Sequence, residues 1–142
     1  MKFMILVKAT RDSEGGAMPP ESLLAEMGAY HEELARAGVL VDCSGLKPSS
    51  NGWRVKYGKN GQRSVVDGPF AETKELVAGY TVIDVKTRED ALQWTKRFPA
   101  PFPDMECEIE VRPFFALEDF GKSEAVDRFR KMEQEKKIGG RK

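Results

Sequence analysis

The stretch VVDGPFAETKELVAGYTVIDV, residues 65–85, joins two runs of different character. Tyr80 to Val85 is almost wholly apolar, the pattern of a strand covered on both faces, whereas Arg63 to Asp67 alternates apolar and polar residues. Between them stand Asp67, Gly68, Pro69 and Phe70, followed by Glu72, Thr73, Lys74 and Glu75. An acid ahead of Gly-Pro marks a tight connection, because its carboxylate can accept the backbone N–H groups of the turn it opens. Pro69 also suits the first position of a helix, so PFAETKEL predicts one or two helical turns with Glu72 placed to cap backward.

The neighbouring segments supply the rest of the architecture. Trp53 to Tyr57 and Arg63 to Asp67 flank GKNGQ, and Asn60-Gly61 is a strong hairpin signal. Upstream, Phe3 to Val7 is a continuous apolar strand. Leu23, Leu24, Met27, Tyr30, Leu34 and Ala37 then recur at helical spacing between Glu21 and Gly38, VLVDCSGL reads as a strand, and KPSSNGW as a loop. Downstream, Thr87 can cap a helix through Phe98 whose face carries Ala91, Leu92, Thr95 and Phe98, with Trp94 at its border. PAPFPD ends that helix. ECEIEVRPF alternates as a last strand, with Cys107, Ile109 and Val111 on one side and Glu106, Glu108, Glu110 and Arg112 on the other.

The order strand, helix, strand, hairpin, strand, helix, strand predicts an α+β fold, a ferredoxin-like βαββαβ sandwich with an inserted β-hairpin and both helices on one side. Met4 and Leu6 then point away from the helices. An identical subunit is the most economical cover for them, so the expectation is a homodimer pairing sheet to sheet. Residues 1–119 are read as the domain, and 120–142 as a thin docking helix, marked by Ala125, Val126, Phe129 and Met132, with a basic tail.

Composition narrows the function classes. The chain has 142 residues, 40% apolar and 32% charged, with 23 basic residues balancing 23 acidic ones, so no overall basic excess argues for direct nucleic-acid binding. No apolar run is long enough for a membrane span and MKFMILVK is too short for a secretory core, which predicts a soluble, cytoplasmic protein. Cys43 and Cys107 lie in separate apolar segments and are expected as buried, reduced thiols. With His31 as the single histidine, no metal site is expected, and no motif asks for a cofactor.

Asp67-Gly68-Pro69-Phe70 followed by Ala71-Glu72-Thr73-Lys74-Glu75 and Gly79-Tyr80, together with EELARAGVL, GLKPSS, REDALQWTKRFP and EIEVRPF, resembles the DGPF-motif group of YCII-related proteins over roughly residues 1–119. The resemblance implies a dimeric α+β barrel, a site in the cleft between sheet and partner, and an activity largely unassigned. In the wider family a histidine and an aspartate form the acid–base pair. His31 falls about one turn from the place of the family histidine, whereas Asp67 to Phe70 match residue by residue. Relatives also occur beside extracytoplasmic-function sigma factors.

Each candidate residue carries two readings. Asp67 serves the turn or acts as a general base. His31, at the border of its helix's apolar stripe, is a hydrogen-bonded packing residue or a proton shuttle. Phe70 fills the core or forms a ligand platform, Glu72 and Lys74 are solvated charges or ligand contacts, and Tyr80 is a packing residue or lines a pocket with its hydroxyl. Arg112 holds an anion or pairs with a neighbouring glutamate. Two functions follow: a protein that binds an unknown small molecule, with acid–base chemistry at Asp67 or His31, or a non-catalytic interaction domain such as a sigma-factor partner.

Overall fold

The computed structural model describes residues 1–136 and 138; residues 137 and 139–142, on which part of the expected basic tail falls, lie outside them. The regular elements are β1 (Lys2–Lys8), α1 (Arg11–Glu14), α2 (Glu21–Arg36), β2 (Leu40–Gly45), β3 (Trp53–Tyr57), β4 (Arg63–Asp67), β5 (Val77–Asp84), α3 (Arg88–Lys96), β6 (Ile109–Pro113) and α4 (Glu124–Gln134). Single 3₁₀ turns lie at Ser49–Asn51, Thr73–Glu75 and Leu117–Phe120.

Four strands form an antiparallel sheet in the order β2-β5-β1-β6, and β3-β4 form a separate two-stranded sheet. Pairing Phe3 with Ile83 and Ile5 with Thr81 places these four residues on one face. Tyr30 and Leu34 of α2 and Ala91 of α3 bury themselves there, and Ile5, Leu34 and Ile83 are fully enclosed. Each such aliphatic side chain contributes roughly 1.5–3 kcal/mol of transfer free energy. α2 ends at Arg36, and Gly38 follows at φ +76°, a conformation open to glycine without strain. α3 begins where the Thr87 hydroxyl accepts the Asp90 N–H at 3.0 Å.

The expected pairing of sheets into a dimeric α+β barrel is corrected by this arrangement. Among the described residues both sheets are open: β2 and β6 are the edges of the larger one, and β3-β4 pair with each other alone. The reason lies in the register. On the face turned from α2 and α3, Met4 stands between Val82 and Arg112, and Leu6 between Tyr80 and Glu110. Asp42 and Ser44 flank Val82 and Tyr80 on the far side. The apolar residues of that face therefore form a narrow stripe bordered by polar side chains, not a broad greasy surface, and Val82 is already buried within one chain. An apolar run such as FMILV shows that both sides of a strand are apolar but says nothing of its neighbours.

Two local expectations also change. PFAETKEL makes only the 3₁₀ turn Thr73–Glu75, because Glu72 sits at φ −82°, ψ 69°, outside the helical region. Cys43, expected to be buried, is exposed on the edge strand β2, while Cys107 is half-buried, and both are free thiols.

Candidate functional site

The DGPF turn is built into one end of the larger sheet. Gly68 donates its N–H to the Gly52 carbonyl at 3.0 Å, closing the base of the hairpin, and the Gly68–Pro69 peptide is cis. A Cβ on Gly68 would lie 1.9 Å from the Ser49 carbonyl oxygen, so backbone meets backbone there and only glycine fits. The Phe70 N–H donates to Ser49 Oγ at 3.0 Å. Ser49 in turn donates its N–H to Glu14 Oε2 at 2.9 Å and its hydroxyl to Glu14 Oε1. α1, the KPSS loop and the turn are thus one hydrogen-bonded unit. The Phe70 ring lies 3.8 Å beneath the Arg54 guanidinium, whose Nη1 is 3.9 Å from Glu72 Oε2. Asp67 ends β4 opposite Trp53, exposed, and its carboxylate takes no hydrogen bond from the described residues. Lys74 is exposed within the Thr73–Glu75 turn.

A second polar group lies on the sheet face turned from α2 and α3. Tyr80 donates its hydroxyl to Asp42 Oδ2 at 3.0 Å, and this bond, with the nearby charge, raises the Tyr80 pKa. Across the Leu6 stripe, Lys8 Nζ lies 3.8 Å from Glu110 Oε1, and Arg112 Nε lies 3.9 Å from Glu110 Oε2. Tyr80 and Arg112 are separated by β1, two strand spacings or roughly 10 Å. The arrangement offers a hydroxyl and cations on either side of an apolar floor, which suits a small molecule with an anionic group.

His31 lies on the opposite side of the sheet. Its Nδ1 is 2.7 Å from the Met27 carbonyl, which can only accept, so the neutral ring carries its proton there. Its Nε2 is then free to accept the Thr81 hydroxyl at 2.8 Å. The ring is half-buried, edge-on to Tyr30 and Phe98 at 5.5 and 6.0 Å. Cys43 is paired with Thr81 in the sheet and faces the same side; partial burial, then the Asp42 charge, raises its pKa, so it stays a thiol near neutrality.

The structure therefore brings Phe70 and Glu72 together through Arg54, and places Tyr80 and Arg112 on one face. His31 is on the other face, and Asp67 stands at the hairpin base, away from it. Sequence reasoning missed Lys8, Glu14, Asp42, Ser49 and Arg54, whose roles depend on strand register or on contacts between distant loops. An open depression of about 500 Å³ at the far end of the sheet, lined in part by Met1, Val39, Asp84, Val85 and Trp94, includes none of the expected site residues. Among the described residues no helix is long and apolar enough to cross a membrane.

Two comparisons bear on this geometry. The model of the YCII-related domain matches residues 1–115. An uncharacterized protein, R00369, of Rhizobium meliloti (strain 1021) is 30% identical over 93 residues, covering 66% of this chain and 73% of the relative.

Proposed function

The chain belongs to the YCII-related family, and from that premise we propose that it binds a small organic anion on the sheet face carrying Asp42, Tyr80, Lys8, Glu110 and Arg112. The observation that carries the reading is the Tyr80–Asp42 bond standing across the Met4 and Leu6 stripe from the Lys8–Glu110–Arg112 group. Arg112 is 71% exposed and its bond to Glu110 is long, so its guanidinium is available to a carboxylate. Phe70, Glu72 and Lys74 form the rim of the adjoining turn. Membership of the DGPF-motif group and a cytoplasmic setting are parts of the same reading.

Thermal-shift titration with small aromatic and aliphatic carboxylates tests it. A ligand should raise the melting temperature of the wild type, and Arg112→Met or Tyr80→Phe should weaken binding about tenfold, some 1.4 kcal/mol, without loss of fold. If no anion stabilises the protein, or if both variants bind as the wild type does, the site is elsewhere. Proton transfer by Asp67 or His31 is a separate proposal, because Asp67 stands at the hairpin base and His31 on the other side of the sheet. An activity that survives both Asp67→Asn and His31→Gln would end it.

One observation favours a second reading, a non-catalytic interaction module that forms a homodimer or engages a protein such as an extracytoplasmic-function sigma factor. Every residue of β3 and β4 is exposed, including Trp53 and Tyr57. Affinity capture that returns a stoichiometric protein partner, with no small-molecule shift, supports this reading over the first.

A further inference from the structure

The strand register arranges the sheet face turned from α2 and α3 into rows that run from β2 to β6. One row is Asp42, Val82, Met4 and Arg112, and the next is Ser44, Tyr80, Leu6 and Glu110. The ends of these rows differ in character. At the β2 margin Asp42 accepts the Cys43 N–H at Oδ1, 2.9 Å, and the Tyr80 hydroxyl at Oδ2, 3.0 Å, and it pairs with no cation among the described residues. An ionised carboxylate has about four acceptor sites, so two bonds leave room for a further donor.

The β6 margin carries the opposite charge. Lys8 Nζ and Arg112 Nε lie 3.8 and 3.9 Å from the two oxygens of Glu110, beyond ordinary hydrogen-bond length, so two cations share one carboxylate loosely. The Lys8 side chain is only 16% exposed, and its charge has given up much of its water. The two rows with Lys8 are therefore neutral in sum and polarised in space, with one surplus positive charge at β6 and the negative charge of Asp42 at β2. Three strand spacings, roughly 14 Å, separate the two margins.

We propose that the ligand of this face is a zwitterion, with an ammonium group on Asp42 and the Tyr80 hydroxyl oxygen, a carboxylate on Arg112 and Lys8, and a flat apolar spacer lying on Val82, Met4 and Leu6. The inference rests on the anion-binding reading above and adds the group at the ligand's other end. A para-substituted benzene ring, with a hydrogen bond of about 2.9 Å at either end, covers the span. The ammonium and carboxylate of an α-amino acid stand too close together to do so. A second carboxylate would meet Asp42, so the same charge that holds the zwitterion rejects a dicarboxylate of equal length.

Four ligands of one shape test it on the full chain: 4-(aminomethyl)benzoate, 4-methylbenzoate, 4-methylbenzylamine and terephthalate. Binding is followed by NMR titration at the methyl groups of Met4 and Leu6. The wild type should bind the zwitterion about fivefold or more tighter than 4-methylbenzoate or 4-methylbenzylamine, and terephthalate more weakly than 4-methylbenzoate. Asp42→Asn should erase the zwitterion's advantage and strengthen terephthalate binding, a gain that a damaged fold does not produce. Arg112→Met should weaken 4-methylbenzoate and the zwitterion alike. Equal binding of 4-(aminomethyl)benzoate and 4-methylbenzoate by the wild type, or a terephthalate affinity that Asp42→Asn leaves unmoved, overturns the zwitterion while the anion site stands. Binding of none of the three carboxylates, or shifts that spare Met4 and Leu6, overturns the anion site and the inference together.

Discussion

The hydroxyl of Tyr30 donates to the Trp94 carbonyl at 2.7 Å and so ties α2 to the last turn of α3. Burial, opposed by the Arg97 charge and reinforced by Glu33, pushes the Tyr30 pKa up to about 12. The unfolded chain releases this proton near the ordinary value of about 10. Between the two the unfolded state binds fewer protons, so the contribution is whole below pH 10 and is lost as pH rises toward 12, by on the order of 2–3 kcal/mol. Tyr30→Phe should cost about 1 kcal/mol at neutral pH through the lost hydrogen bond, the Trp94 carbonyl keeping the Arg97 N–H at 3.1 Å, and urea unfolding from pH 9 to 12 should fall less steeply than for the wild type. Gly68 makes a sterically simpler prediction. Gly68→Ala drives a methyl group to 1.9 Å from the Ser49 carbonyl and should destabilise by more than about 2 kcal/mol, whereas Gly45→Ala meets nothing within 4 Å and should change stability by under about 1 kcal/mol. The importance of Gly68 was legible in DGPF, as turn chemistry. The Tyr80–Asp42 bond was not, because it exists only through a register that sets Ser44 against Tyr80 and Asp42 two pairs away, at the next position on the same face.

Helix and strand identity followed from periodicity where an apolar face recurs often enough. α2 lies within the expected span from Glu21 to Gly38, the hairpin turns at Asn60-Gly61, and α4 keeps the spacing that buries Val126. α1 escaped notice: its four residues, Arg11–Glu14, bury nothing and are held by the Thr10–Ser13 capping box. Its consequence is large for its size, because it delivers Glu14 to Ser49 and thereby fixes the acceptor for the Phe70 N–H. Ser49→Ala removes both bonds of its hydroxyl. The variant should lose about 1–2 kcal/mol, and amide exchange at Phe70 should accelerate about tenfold or more, while Ile83 and Leu34 remain protected. Equal acceleration at all three amides would mean that the turn is not a separate unit. PFAETKEL reads as helical because proline suits a helix start, yet the chain spends these residues reaching β5 and pairing Glu72 with Arg54, contacts no local pattern reveals.

At the level of the whole molecule, the buried residues divide the chain unevenly. The core draws on β1, α2, β5 and α3, with Val126 from α4, and no residue between Leu40 and Ala78 is buried. The α+β class was therefore legible, since it rests on these strongly patterned segments, whereas the closure of sheets was not, since it depends on what stands beside each strand. The hairpin is an appendage to this core. Its base is nearly closed already, with the Gly68 N–H 3.0 Å from the Gly52 carbonyl, so replacing Trp53–Asp67 by two glycines requires little rearrangement of either flank. Loop shortening of this kind changes stability by little more than loop-closure entropy, about 1–2 kcal/mol. The shortened protein should unfold cooperatively within a few degrees of the wild type. Loss of cooperative unfolding would instead make the hairpin part of the folding unit, because five exposed apolar residues on an arm outside the core have no stability to contribute unless something covers them.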